Sequence, residues 1–109
     1  MIVGIPTDDG VTVSEHFGRS RDFMIARLED DNQIVKNLVE NPHNKMTNEQ
    51  AGHGSVLKML TDNKVNKVIC VHLNPRMEEN LRSLKITVEM CRMNSRIDDI
   101  LGDEQGKRY

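Results

Sequence analysis

The sequence predicts a single α/β domain on a mixed five-stranded sheet, with elements in the order βββαβαβα. Three observations predict it. Two alternating segments flank the turn residues Asp30-Asp31-Asn32 and read as a hairpin. Beyond them, apolar β-rich runs alternate with segments whose apolar residues recur at helical spacing. Asn, Pro and Gly fall between these segments, where turns and helix caps need them. A hairpin pairs strands antiparallel, whereas strands joined through helices pair in parallel, so the sheet is mixed.

Taken in order, Ile2 to Pro6 is a short apolar strand entering a turn at Thr7-Asp8-Asp9-Gly10. Phe23 to Glu29 alternates as a second strand, and Gln33 to Glu40 resumes as a third. Pro42 to Asn48 is polar and reads as an exposed, mobile loop. Asn48-Glu49 offers a helix cap with an acidic first turn; Val56, Leu57 and Leu60 follow at helical spacing, and Asn63 is the stop. Lys67 to His72 is a buried strand. Asn74-Pro75 caps the next helix, whose stripe is Met77, Leu81 and Leu84. Ile86, Val88 and Met90 alternate with polar neighbours as a half-exposed strand. Ser95 with Asp98 resembles a capping box, Ile97, Ile100 and Leu101 share a helix face, and Gly102 ends it. The expected domain is therefore 1–102, followed by a charged, flexible tail at 103–109.

Composition narrows the function. A chain of 109 residues buries about two-thirds of its unfolded surface and needs no staples. Its 15 basic and 17 acidic residues are intermixed, leaving net charge −2 and no basic footprint for nucleic acid or anionic membrane. Phe17, Phe23 and Tyr109 are too few to make a stacking platform. No apolar run is long enough to span a membrane and no signal-peptide pattern is present, so the expected location is the cytoplasm. Cys70 and Cys91 form neither a Cys-x-x-Cys motif nor a disulfide framework. Cys70 reads as a buried, inert thiol, and Cys91 sits at a strand end.

The most informative stretch runs from Thr7-Asp8-Asp9-Gly10 to Ser14-Glu15-His16-Phe17-Gly18-Arg19, with Gly52-His53-Gly54 further on. Two histidines beside glycine in polar turns can each offer a ring nitrogen to a ligand that approaches the backbone closely. In these motifs the chain resembles the iron–molybdenum cofactor-binding domain of nitrogenase accessory proteins (NifX-like, and the C-terminal part of NifB), over about residues 1–92. The resemblance implies a ribonuclease-H-like arrangement, with sheet order 3-2-1-4-5, strand 2 antiparallel and helices on both faces. It further implies a non-enzymatic carrier for an iron–sulfur or iron–molybdenum–sulfur cluster, a monomer or weak homodimer exchanging its cargo with donor and acceptor proteins.

With that sheet order, the turn after strand 1, the Val13–Arg19 loop, the start of helix 1 at Gly52–Gly54 and His72–Asn74 converge at the strands' C-terminal ends, where α/β proteins bind ligands. A helix N-terminus at Gly52-His53-Gly54 would offer backbone N–H groups to an anionic cluster. His16 is the first ligand candidate and His53 the second; a helix-cap role for His53 stays open. Arg19 either pairs with the cluster or is a surface arginine. Glu15 reads as solvated, Phe17 as a core plug, Asp8 and Asp9 as turn formers, and His43 as an exposed residue of a mobile loop that could also swing onto the ligand. The family's glycine-rich turn before Pro-Arg is replaced here by Val71-His72-Leu73-Asn74. His72 is thus either an added ligand or part of a filled pocket. Two alternatives remain open: a binding or regulatory module of the same fold that has lost the cluster site, and a metal-dependent nuclease. Against the nuclease, the sequence places acidic residues at one strand end but no partners for them at the fourth strand.

Overall fold

A computed structural model describes residues 1–45 and 48–107, with Glu49 and Gln50 described in backbone only. The elements are β1 (Ile2–Thr7), β2 (Asp22–Leu28), β3 (Ile34–Glu40), α1 (Glu49–Asp62), β4 (Lys67–Cys70), α2 (Pro75–Ser83), β5 (Thr87–Met90) and α3 (Ile97–Gly106). A short 3-10 helix, Pro42–Lys45, lies between β3 and α1. The strands form one sheet in the order β3-β2-β1-β4-β5. β2 runs antiparallel to both neighbours, while β1, β4 and β5 are parallel. Sheet order and strand directions are those the resemblance implied. Among the described residues no helix is long and apolar enough to cross a membrane.

Strand alternation divides the core in two. Phe23, Ile25, Val68 and Cys70 pack on one face against Val56 and Leu60 of α1 and Met77 and Leu81 of α2. Val3, Ile5, Met24, Ala26, Leu28 and Ile69 pack on the other against Ile97 and Leu101 of α3. Gly4 lets α1 approach β1: a Cβ there would stand 3.3 Å from Leu60 Cδ2.

Local chemistry sets the boundaries. Asn48 caps α1 by accepting from the Ala51 N–H at 2.8 Å, and Asn63 ends it with its N–H on Met59 O. Asn74 caps α2 through the Arg76 N–H at 2.8 Å, ahead of Pro75. In the first turn, Thr7 Oγ1 accepts from the Gly10 N–H and Asp9 Oδ1 accepts from the N–H groups of Val11 and Thr12. Asp8 Oδ1 accepts from the Arg21 N–H. Asp9 is a turn former, as its position suggested, whereas Asp8 ties the turn to Arg21, thirteen residues on.

Five expectations are corrected. Leu84 is exposed, because α2 ends at Ser83 and the chain reverses through Lys85 (φ 63°); Ile86 takes the buried place, its N–H on Leu81 O. Ser95 does not cap α3: its Oγ donates to Arg92 O, and the Ile97 N–H is instead received by Val11 O at 2.8 Å. Gly102 does not end α3, which continues to Gly106 with Glu104 and Gln105 buried on its inner face. Residues 103–107 are therefore part of the packed domain; Arg108 and Tyr109 lie outside the described residues. β4 stops at Cys70, so Val71 and His72 belong to the following loop. Finally, Pro42–Lys45 is an ordered turn, because Asn41, fully buried, accepts the His43 N–H at 3.0 Å and donates to Ser20 O at 2.9 Å. Met46 and Thr47, the rest of that expected loop apart from Asn48, lie outside the described residues.

Candidate functional site

At the C-terminal ends of β1 and β4 lies a cleft of about 380 Å³. The loop after β1 brings Glu15, His16, Phe17, Gly18 and Arg19 to its wall; the loop after β4 brings His72, Leu73 and Asn74. His43 from the 3-10 turn, His53 from α1 and Met77 from α2 complete it. The four histidines of the sequence thus line one cleft.

Each histidine is held by its own local structure. Ser14, buried, accepts the His16 N–H at 3.1 Å and so holds the backbone of the exposed His16. Beneath it Phe17 is 4% exposed and meets Phe23 edge-to-face, ring centres 5.2 Å apart, so the loop is anchored in the α1/α2 core. His53 stands on the second turn of α1, and His72 is exposed just beyond β4. His43 is half-buried, its ring centre 5.7 Å from that of His53 at a 44° tilt.

Of the sequence candidates, His16, Arg19, His53 and His72 reach the cleft, whereas Gly52 and Gly54 do not line it. The expectation that Gly52-His53-Gly54 opens the helix is corrected: Asn48 is the cap, and the Gly52 N–H is used on Asn48 O at 3.0 Å inside α1. That commits the Gly52 donor and removes the capping role considered for His53. Gly52 has a different task. A Cβ there would overlap the His43 ring, lying 2.6 Å from Nε2. Gly54 is exposed, with open space around it.

Sequence reasoning brought Leu73 and Asn74 to the crevice with His72, but it missed Met77 and read His43 as an exposed loop residue. For His43 a signal was present: Asn41-Pro42 initiates turns, and an ordered turn places the next side chain. Glu15 is exposed, as expected.

Electrostatics separates structural groups from the cleft. Backbone N–H bonds from Thr12, then Val11, hold the Asp9 carboxyl down at about 2. Burial, then Cys91 and Glu78, push the Cys70 thiol up to about 12, which removes thiolate chemistry from it. The Cys91 thiol is also raised, by burial first. Neither cysteine lines the histidine cleft. Among the described residues, no three or more His, Cys, Asp or Glu side chains are gathered tightly enough to hold a metal ion.

Comparison with known proteins agrees with this architecture. PH0822 is 28% identical, with TM-score 0.80 over 98% of this chain and 92% of that one. The apo form of the orange protein from Desulfovibrio gigas is 15% identical, with TM-score 0.76 over 95% and 88%. A protein from Methanocaldococcus jannaschii is 22% identical, with TM-score 0.62 over 98% and 89%. The last two likenesses establish the fold alone. No curated protein sequence matches the chain. The family model described as dinitrogenase iron-molybdenum cofactor matches residues 1–105, nearly the whole chain, and the protein belongs to that family.

Proposed function

We propose that the protein is a non-enzymatic carrier for an anionic iron–sulfur or iron–molybdenum–sulfur cluster, held in the histidine cleft and passed between donor and acceptor proteins in the cytoplasm. The observation that carries this reading is the meeting of His16, His43, His53 and His72 around one cleft, with Arg19 on the same wall. Imidazole is a borderline ligand that suits iron and its neighbours. The histidines do not gather three to a single ion, which suits cargo large enough to touch several walls at once. Arg19 adds a delocalised positive charge suited to an anionic cargo. In this reading His16 is the principal ligand, on the loop that Ser14 and Phe17 anchor, and His53 a second ligand from α1. The domain acts as a monomer or weak homodimer, and nothing in the proposed role requires turnover.

The test is anaerobic loading of the tag-free protein with a supplied cluster, followed by metal and acid-labile sulfide analysis. Wild type should retain the cluster through gel filtration, and His16→Ala should lose most of it while melting within a few degrees of wild type. Equal retention by His16→Ala sinks the ligand assignment.

The side chains of His72 and Leu73 at the cleft wall favour one other reading, a module of this fold whose cluster site has been filled. His72→Gly removes ring and bulk together, whereas His72→Asn keeps polarity and much of the bulk. Weaker retention by both variants supports a ligand at this rim. Tighter retention by His72→Gly alone identifies a plugged pocket.

A further inference from the structure

The four cleft histidines are not equivalent. His43 and His53 are neighbours, with ring centres 5.7 Å apart and planes inclined by 44°. Two imidazoles bound to one ion, with metal–nitrogen bonds of about 2.0–2.1 Å and ring centres about 1 Å beyond the nitrogens, stand about 5–6 Å apart. The observed separation is inside that range.

The pair is also built from both sides. Behind His43, the fully buried Asn41 accepts its backbone N–H at 3.0 Å and is itself tied to Ser20 O at 2.9 Å and Gly18 O at 3.4 Å. The 3-10 turn is thereby fixed to the β1–β2 connection. In front, the His43 ring lies on Gly52, in the space a Cβ would need. His53 is the next residue on α1, so its backbone position is set by the same turn of helix that receives His43. Glycine inside a helix is destabilising relative to alanine. Here it is what allows the two rings to meet.

We propose that His43 and His53 form a two-imidazole clip for a single first-row divalent cation of the nickel, copper or zinc class, with water in the remaining positions. Imidazole is a preferred ligand for these ions. Two protein ligands leave the ion exchangeable, as the absence of a third tightly gathered ligand among the described residues requires. The clip goes beyond the cluster reading: it needs neither sulfide nor His16.

Tag-free protein titrated calorimetrically with nickel chloride, without sulfide, tests the clip. One nickel should bind per chain. His43→Asn and His53→Asn should each weaken binding about tenfold or more, as loss of one of two ligands demands. His16→Asn and His72→Asn should change it less than about twofold, since their imidazoles stand outside the pair. Gly52→Ala keeps every donor but displaces the His43 ring, so it should weaken nickel about tenfold while retaining wild-type helical circular dichroism. Absence of 1:1 binding by wild type overturns the clip. So do full affinity in His43→Asn or His53→Asn, full affinity in Gly52→Ala, or equal losses in His16→Asn or His72→Asn. Because cluster loading is measured separately and centres on His16, failure of either assignment is visible without the other.

Discussion

Lys67 Nζ lies 3.0 Å from both carboxylate oxygens of Glu104, joining β4 to the last turns of α3. The Glu104 side chain is 3% exposed and that of Lys67 12%, so this is an interior pair. Lys107 at 3.2 Å from Glu104 and Glu89 at 3.2 Å from Lys67 extend it toward the surface. Removing Glu104 takes the interior partner from Lys67 and leaves that ammonium to the more exposed Glu89. Glu104→Ala should therefore cost about 1–3 kcal/mol in urea unfolding, and a chain ending at Gly102 should lose at least as much. A loss below about 0.5 kcal/mol, the range of ordinary surface substitutions, contradicts the role of α3's end.

Leu81 and Leu84 share a sequence stripe but not an environment. Leu81 is fully buried between α2 and the sheet, and Leu84 is 44% exposed. Leu81→Ala should cost about 2–5 kcal/mol, and Leu84→Ala less than about 0.5 kcal/mol. Denaturant midpoints of the two variants, measured side by side, check the orientation of α2.

Asn41 ties the two histidine-bearing turns together. Its amide accepts from the His43 N–H and donates to Ser20 O, so Asn41→Ala strands buried polar groups at a cost of about 1–3 kcal/mol. The variant should also move the His43 and His53 ring resonances in NMR spectra, leaving those of His72 near their wild-type positions. Unmoved His43 resonances would show that the turn holds itself.

Acid stability should carry the signature of Asp9. Its carboxyl is depressed from 3.8 to about 2 by backbone N–H bonds from Thr12 and Val11. A carboxyl depressed in the folded state stabilises fully above its unfolded value, and that contribution is lost as pH falls from about 4 through about 2. Asp9→Asn retains an acceptor oxygen but does not titrate. Thermal melts from pH 2 to 5 should therefore be flatter for Asp9→Asn than for wild type, and identical slopes would exclude the turn as the source.

The cysteines should differ in reactivity. Cys70 is fully buried with its thiol pushed up to about 12, whereas Cys91 is half-buried. Iodoacetamide should label Cys91 first, with Cys70 following only on unfolding. Mass spectrometry of the digested protein reads the order, and early labelling of Cys70 would contradict its place in the core.

The sequence by itself determined the order and type of the elements, because hydrophobic period and capping chemistry act over a few residues. Asn48, Asn63 and Asn74 are caps in the structure as in the sequence, and Asp9 is a turn former. Family motifs supplied the sheet order, which periodicity alone does not contain. Only the tertiary structure decided the rest. Gly102 reads as a helix stop locally, yet the Lys67 partner of Glu104 sits across the sheet and carries α3 past it. Ser95 reads as a cap, yet the acceptor for Ile97 comes from Val11, far away in sequence. His43 reads as a loop histidine, and its place beside His53 depends on a buried asparagine behind it and a missing Cβ in front. Local propensities write the elements; contacts between residues distant in the chain decide where each one stops and which side chains meet.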